Sequence, residues 1–297
     1  MSIEKILFPT KFRELAFDAL DSLTVLKEAG LKEIVFLHVI LREDVGFVPF
    51  GGYLKKEEEK MRAEARIRLE DWQKTLDEKG IKSKIIIKVG RPVHEMIHAA
   101  EDEKVDMIVV GRKKRIDIEN TFIGSYTHKV ITRIRLMTFV SKYMVEYKFD
   151  NAELTKVNDR PFETPLITVG GDEELSQRAV DSLKKFKGAV KKAIVFFNID
   201  EKMMDEKNKA EMEQLKEECK QKCGKYCEQL GAAGIEAELH LGAGEILDEI
   251  LRVSRERKAS MIVAGNTSEH RFLENLLHRS ISYQVTKSSE LPVLLVP

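Results

Sequence analysis

The residues whose types and spacing best suit chemistry are Gly111, Gly124, Ser125 and Thr127, with the basic run Arg112-Lys113-Lys114-Arg115 between them. A glycine at a strand end lets a ligand approach the backbone, and a Gly-Ser pair opening a helix offers free amides plus a hydroxyl, a combination that suits phosphate. The same residues also fit a plain strand-end turn, a solvated basic loop and an ordinary serine N-cap. A second pattern, His94-Glu95-Met96-Ile97-His98, spells H-E-x-x-H, which on a helix sets two imidazoles one turn apart beside a glutamate base. The apolar stripe of that helix is Val93, Met96, Ile97 and Ala100, so the histidines fall to one side of it. No Gly-x-x-His follows His98, and the third-ligand candidate Glu119 belongs to a loop with no reason to reach back, so no metal site is expected. Cys219, Cys223 and Cys227 line one side of a helix, the first two at core positions where free cysteine packs as a small hydrophobe. Cys227 has the least buried position of the three and is the one to test for reactivity, while packing is the expected role of the cluster. His38 ends a strand, where the backbone is expected to fix its tautomer, and no spacing suggests a nucleophile, base and orienting acid.

The elements that must position these residues occur twice. Ile6 to Thr10 is a short apolar run followed by a helical pattern over Glu14–Leu26, and Leu166 to Gly171 repeats it ahead of Ala179, Val180, Leu183 and Phe186. Ile34–Ile40 and Ala193–Ile199 are continuous apolar runs of the kind buried on both sheet faces. Each half continues with a long charged helix, Lys55–Glu78 or Asp205–Leu230, closed by Gly80 or by Gly231 and Gly234. Third strands (Lys84–Val89, Glu236–Leu241), a helix and fourth strands (Met107–Gly111, Met261–Gly265) follow. Strands alternating with helices at this spacing imply right-handed crossovers, and hence two tandem doubly wound, Rossmann-like α/β domains, each with a mostly parallel five-stranded sheet. The expected boundaries are 1–149 and 163–297, with 150–162 as a linker of little apolar periodicity. The first half ends in a longer alternation, Leu136 to Tyr147, able to extend pairing across the domain interface or to cover the sheet edge.

A chain of 297 residues suits two such domains, and 43% hydrophobic with 34% charged residues supplies both a core and a solvated surface. Fifty basic residues offset fifty acidic ones, so no global field selects nucleic acid or an anionic membrane. The charged start, the lack of an apolar run long enough to span a bilayer and only three cysteines point to the cytoplasm.

With Gly111, Gly124 and Ser125 after the fourth strand, and Leu291-Pro292-Val293-Leu294-Leu295-Val296 at the end, the chain resembles the universal stress protein family in its tandem form. Lys114 stands at the middle glycine of the family pattern, and Arg279 at the phosphate-loop glycine of the second half. Some members bind ATP, and the resemblance implies adenosine at the ends of strands one and two and phosphates on the glycine loop. The residues so implied are Pro9, Thr10, Val39, Val110, Gly111, Gly124, Ser125 and Thr127, with Gly265, Ser280 and Ser282 as weaker second-half candidates. Lys11, and Gly170 in the second half, stand where ATP-binding members place an aspartate.

The resemblance implies a stress-response regulatory or binding protein that takes ATP or AMP in the first domain, with Mg2+ accompanying ATP and no structural metal. A degenerate, nucleotide-free member acting through protein contacts is the alternative, supported by Lys11, Lys114 and Arg279. Catalysis is expected to be at most slow ATP hydrolysis, because no Walker lysine, metal carboxylate or water-positioning residue is evident. The implied partners are the nucleotide, an intramolecular pairing of the two domains through their last strands, a homodimer and an unidentified protein, with neither nucleic acid nor membrane.

Overall fold

The computed structural model describes residues 2–12, 16–46, 52–113, 124–148, 151–156, 160–199, 209–266 and 280–297, the backbone alone at 112–113, 143–148, 151–156 and 209. The apolar runs form parallel strands because their residues are buried on both faces, as a sheet covered by helices on each side requires. In the first half these are β1 (Lys5–Thr10), β2 (Glu33–Leu41), β3 (Lys82–Gly90), β4 (Met107–Lys113) and β5 (Met137–Lys148). Their order is β3-β2-β1-β4-β5, all parallel. The chain runs outward from β1 through β2 to β3 and then returns to β4, so the strand order reverses between β1 and β4. Ligands bind at such a point, beyond the carboxyl ends of the strands.

The helices that cover this sheet are α1 (Ala16–Leu23), α2 (Lys55–Glu78), α3 (Pro92–Asp102) and α4 (Ser125–Arg133). The helical pattern over Glu14–Leu26 resolves into α1 followed by a 3-10 segment at Thr24–Ala29, while residues 13–15 lie outside the described set. In α2 the buried residues Ala65, Leu69 and Leu76 recur at helical spacing and hold the helix to the sheet. Gly80 ends it in the left-handed region at φ 68°, where the Gly80 amide donates to Asp77 O and the Ile81 amide to Leu76 O. Gly234, at φ 83°, closes the corresponding helix of the second half through the same pair of bonds from Gly234 and Ile235.

The second half repeats the plan with β7 (Pro165–Val169), α5 (Glu173–Lys184), β8 (Lys192–Ile199), α6 (Lys209–Ala232), β9 (Glu236–Ala243), α7 (Ile246–Glu256), β10 (Met261–Gly265), α8 (Ile281–Ser288) and β11 (Val293–Val296). The two five-stranded sheets join into one, ordered β3-β2-β1-β4-β5-β11-β10-β7-β8-β9. The junction is antiparallel, with Phe139 opposite Leu294, Val140 opposite Val293 and Thr138 opposite Leu295. It places the last strand of each half against the other, so β5 extends pairing across the interface.

The stretch read as a linker also contains a strand. β6 (Asn151–Lys156) pairs antiparallel with the far end of β5, from Tyr143 opposite Lys156 to Lys148 opposite Asn151. Backbone pairing needs no apolar periodicity, which is why composition alone pointed to a linker there.

Two apolar layers lie on the two faces of the joined sheet, and each continues through both halves. One holds Phe8, Phe36, Leu69, Phe139, Phe162, Phe186 and Leu230 under α1, α2, α5 and α6. The other holds Leu7, Val35, Val130, Val140, Val253 and Val285 under α3, α4, α7 and α8. Polar contacts tie the halves as well. The buried Lys142 ammonium donates to Thr286 O (2.8 Å) and Ser289 O (2.5 Å) at the end of α8, Asn266 Nδ2 donates to Ile131 O (3.2 Å), and the His128 and Tyr283 rings meet edge to face at 5.5 Å. Cations at a helix C-terminus complement its dipole, so Lys142 suits its position although it is buried.

Candidate functional site

The carboxyl ends of β2, β1 and β4 and the start of α4 bring the first-half residues to one edge of the sheet. Thr10 is level with His38 in the β1–β2 register, and its buried hydroxyl accepts the Phe12 amide at 3.0 Å. His38 Nδ1 donates to Thr10 O at 3.0 Å, which fixes the tautomer through the backbone. Burial first, then the nearby Lys11 and Arg68 charges, holds the His38 imidazole below its ordinary pKa, although the bond to Thr10 works the other way. The ring is therefore neutral at pH 7. Val39 and Val110 are buried beneath this edge and serve as its apolar floor.

Thr127, itself buried, donates from Oγ1 to Gly111 O at 3.2 Å, linking the first turn of α4 to the end of β4. Gly111 and Gly124 are exposed. Among the described residues, no atom stands within 4 Å of a Cβ built at Gly111, and a Cβ at Gly124 would meet only Thr127 Oγ1, at 3.9 Å. The N-cap of α4 is Gly124 and not Ser125, which is the first helical residue, and no side chain caps this end among the described residues. The ordinary serine N-cap, one of the two readings of this stretch, is therefore not what the backbone adopts. Among the described residues, the first amides of α4 thus have no side-chain acceptor and stand beside a glycine at the end of β4 that no described atom covers, an arrangement able to hold an anion.

Side chains from the turn after β1 reach over the same edge. Lys11 Nζ lies 4.2 Å from the centroid of the Tyr126 ring, bridging the end of β1 to the first turn of α4. Phe12, with φ 53°, packs its ring 4.7 Å from His38 and against Trp72, and the Arg68 guanidinium stands over the ring 5.4 Å from its centroid. The Phe12 and Arg68 contacts carry no signature in the sequence, since they depend on a left-handed turn and on which face α2 presents. Lys114 and Arg115 lie outside the described residues, as does Arg279 of the second half.

The corresponding edge of the second half satisfies itself. Ser280 is the N-cap of α8, and its Oγ accepts the Tyr283 amide at 3.3 Å and lies 3.4 Å from Ser282 Oγ. A Cβ built on Gly265 would fall 2.3 Å from Leu175 Cγ, so the Leu175 side chain sits directly on the glycine at the end of β10. The Gly170 amide donates to Ser176 Oγ at 3.0 Å, and Asp172 caps α5 through the Leu175 amide at 2.9 Å. Donors of this kind, already matched within the chain, gain little from an added anion. Sequence reasoning missed Leu175, because only the packing of α5 over β10 identifies it as a plug. Asn198, at the end of β8, donates to Gly244 O at 2.9 Å, so the amide that replaces a histidine there also serves the backbone.

The remaining sequence candidates separate from this edge. His94 and His98 are exposed on α3, and Glu95 turns back over Gly90. Glu119 lies outside the described residues, and no group of three or more His, Cys, Asp or Glu residues gathers to hold a metal among the described ones. Cys219 and Cys223 are buried in α6, and burial pushes the Cys223 thiol up to about 11. Cys227 is half-buried rather than exposed, and its thiol too is raised by burial. Burial thus disfavours the thiolate at all three, in keeping with a packing role. No described helix is long and apolar enough to cross a membrane.

The family model of the universal stress proteins matches the chain twice, over residues 2–142 and 167–297, leaving the β6 hairpin strand outside both matches. The chain is 34% identical over 153 residues to universal stress protein MJ0577 of Methanocaldococcus jannaschii, covering 47% of this chain and 94% of that protein. It is 26% identical over 140 residues to universal stress protein MJ0531 of the same organism, covering 47% of this chain and 82% of that protein. A crystal structure of a universal stress protein from Archaeoglobus fulgidus superposes over 100% of this chain and 99% of its own, with a TM-score of 0.72 at 21% identity, which shares the whole two-domain fold. With two matches that together take in most of its length, on a sheet built twice from the same strand order, the chain belongs to the universal stress protein family and carries two of its domains in tandem.

Proposed function

We propose that this chain is a stress-response regulatory module that binds one adenine nucleotide, ATP or AMP, in its first domain. The observation that carries this reading is the contrast between two equivalent edges. Among the described residues, the first half keeps an uncovered Gly111 and an α4 start without a side-chain cap, whereas Leu175 and Ser280 occupy those places in the second. Phosphate groups lie against the amides of Gly124 and Ser125, and Mg2+ accompanies ATP. The nucleoside rests at the ends of β1 and β2, on Pro9, Thr10 and Val39, with Val110, Gly111 and Thr127 shaping the turn between base and phosphates. Gly265, Ser280 and Ser282 take no nucleotide. The protein works in the cytoplasm by binding, and any hydrolysis is slow. In this reading the units 1–149 and 163–297 act as a nucleotide-holding domain and a self-satisfied partner domain, and the homodimer and protein contacts act downstream of occupancy.

A second reading rests on Lys11, whose ammonium is held on Tyr126 across the edge that the nucleoside would use. In it the chain is nucleotide-free and works through protein contacts. Equilibrium titration with ATP and AMP separates the two, because saturable binding supports the first and no binding at millimolar nucleotide supports the second. Lys11→Asp sharpens the test. A carboxylate there supplies an acceptor for nucleoside hydroxyls and releases Tyr126. One charge-assisted hydrogen bond of about 1.5 kcal/mol predicts roughly tenfold tighter binding. Unchanged affinity would show that the nucleoside does not lie at the end of β1.

A further inference from the structure

Outside the nucleotide edge, the most chemically pointed arrangement on the described surface is on α3. His94 and His98 are both exposed and stand one turn apart, their Nε2 atoms sharing a hydrogen bond of 3.1 Å and their ring centroids 4.2 Å apart. Two imidazole nitrogens at that separation, each about 2.05 Å from one cation, subtend about 100° at the metal, between the angles of square-planar and tetrahedral coordination. A cation that displaces the proton between them would thus find both nitrogens already at the separation of a two-toothed chelate.

A second, independent feature orients one of its teeth. The Glu95 side chain is folded over the backbone of Gly90, where a Cβ would fall 2.4 Å from Glu95 Oε1, and only 21% of it is exposed. From there Oε1 accepts His94 Nδ1–H at 3.3 Å. A carboxylate on Nδ1 places the ring proton there and turns the His94 Nε2 lone pair toward His98, whose Nε2 proton a metal would displace. A glycine at position 90 is what lets Glu95 lie flat enough to do this, since any side chain would displace it.

We infer that His94 and His98, oriented by Glu95, form an exchangeable site for a borderline transition-metal dication such as Zn2+ or Ni2+. The two Nε2 atoms supply the protein ligands, and water completes the shell. Two ligands and open positions make this a surface binding site, distinct from a hydrolytic zinc centre, because Glu95 is committed to His94 Nδ1 and does not face the metal. It lies on a helix of the first domain and is independent of the nucleotide reading.

The test is calorimetric titration of the tag-free full chain with ZnCl2, and separately with NiCl2, in a buffer that does not chelate. The wild-type chain is expected to bind one equivalent saturably. His94→Gln and His98→Gln should each weaken binding at least tenfold with unchanged far-ultraviolet circular dichroism. Glu95→Gln should weaken it by about tenfold, the scale of losing an orienting partner. His240→Gln, in the second domain, should leave the isotherm unchanged. An isotherm that survives the His94→Gln/His98→Gln double replacement, absence of a saturable equivalent in the wild type, or loss on His240→Gln would each overturn the assignment.

Discussion

Gly124→Asp is expected to abolish nucleotide binding while leaving the fold intact. Among the described residues a Cβ at this position meets only Thr127 Oγ1, at 3.9 Å, and the backbone at φ −56°, ψ 144° suits any residue. Aspartate is also among the best N-cap residues, so its carboxylate would take the amides at the start of α4 and stabilise the helix. Those amides are the ones that phosphate needs. Loss of their bonds together with repulsion between a carboxylate and a phosphate amounts to about 3 kcal/mol or more, a loss of affinity of at least about 100-fold. Gly124→Ala, with the same space and no charge, should retain most of the affinity. Titration of both variants with ATP checks this, and an unaltered Gly124→Asp isotherm would remove α4 from the phosphate site.

The second large effect concerns the joint between the halves. Phe162 is fully buried, with its ring 5.0 Å from Phe139 and 5.3 Å from Phe186, stacked on the latter. Phe139 lies at the middle of the β5–β11 pairing, and Phe186 lies in the turn just after α5 of the second half, so Phe162 packs between both domains. Phe162→Ala removes a ring that neither neighbour can replace. A buried Phe→Ala costs about 3–5 kcal/mol, partly as lost transfer energy and partly as the cavity left behind. The denaturant midpoint should fall accordingly, and the loss should appear in probes of both halves because the core layer is continuous. A change below about 1 kcal/mol, or one confined to the second half, would show that the two sheets are not energetically joined through this stack.

Phe162 also marks the limit of what the sequence made legible. The duplicated order of strand and helix could be read from apolar runs alone, because strands buried on both faces leave continuous signatures and each is followed by a helix of regular spacing. Lys55–Glu78 appears as a single helix with those bounds. The segment 150–162, in contrast, lacks periodicity, yet it contains β6, paired through its backbone, and a phenylalanine whose burial depends on two domains meeting over it. Neither backbone pairing nor inter-domain packing imposes a period on a short segment.

At the candidate site the residue types were legible and their roles less so. Gly111, Gly124, Ser125 and Thr127 do stand at the end of β4 and the start of α4, as the strand order requires. The cap fell one residue earlier than the serine suggested, because either residue can end a loop and only the backbone torsions decide. Leu175, which covers the second-half glycine, carried no signal, since a leucine early in an amphipathic helix reads as an ordinary core residue. The difference between an open and a plugged edge is thus a property of tertiary packing laid over two nearly identical patterns.

The most direct test of one nucleotide site per chain is to denature the purified protein and quantify released nucleotide by mass, then titrate the emptied chain to saturation with ATP. The structure-based account predicts one equivalent in total, abolished by Gly124→Asp. Two equivalents, or none at millimolar ATP, would contradict it.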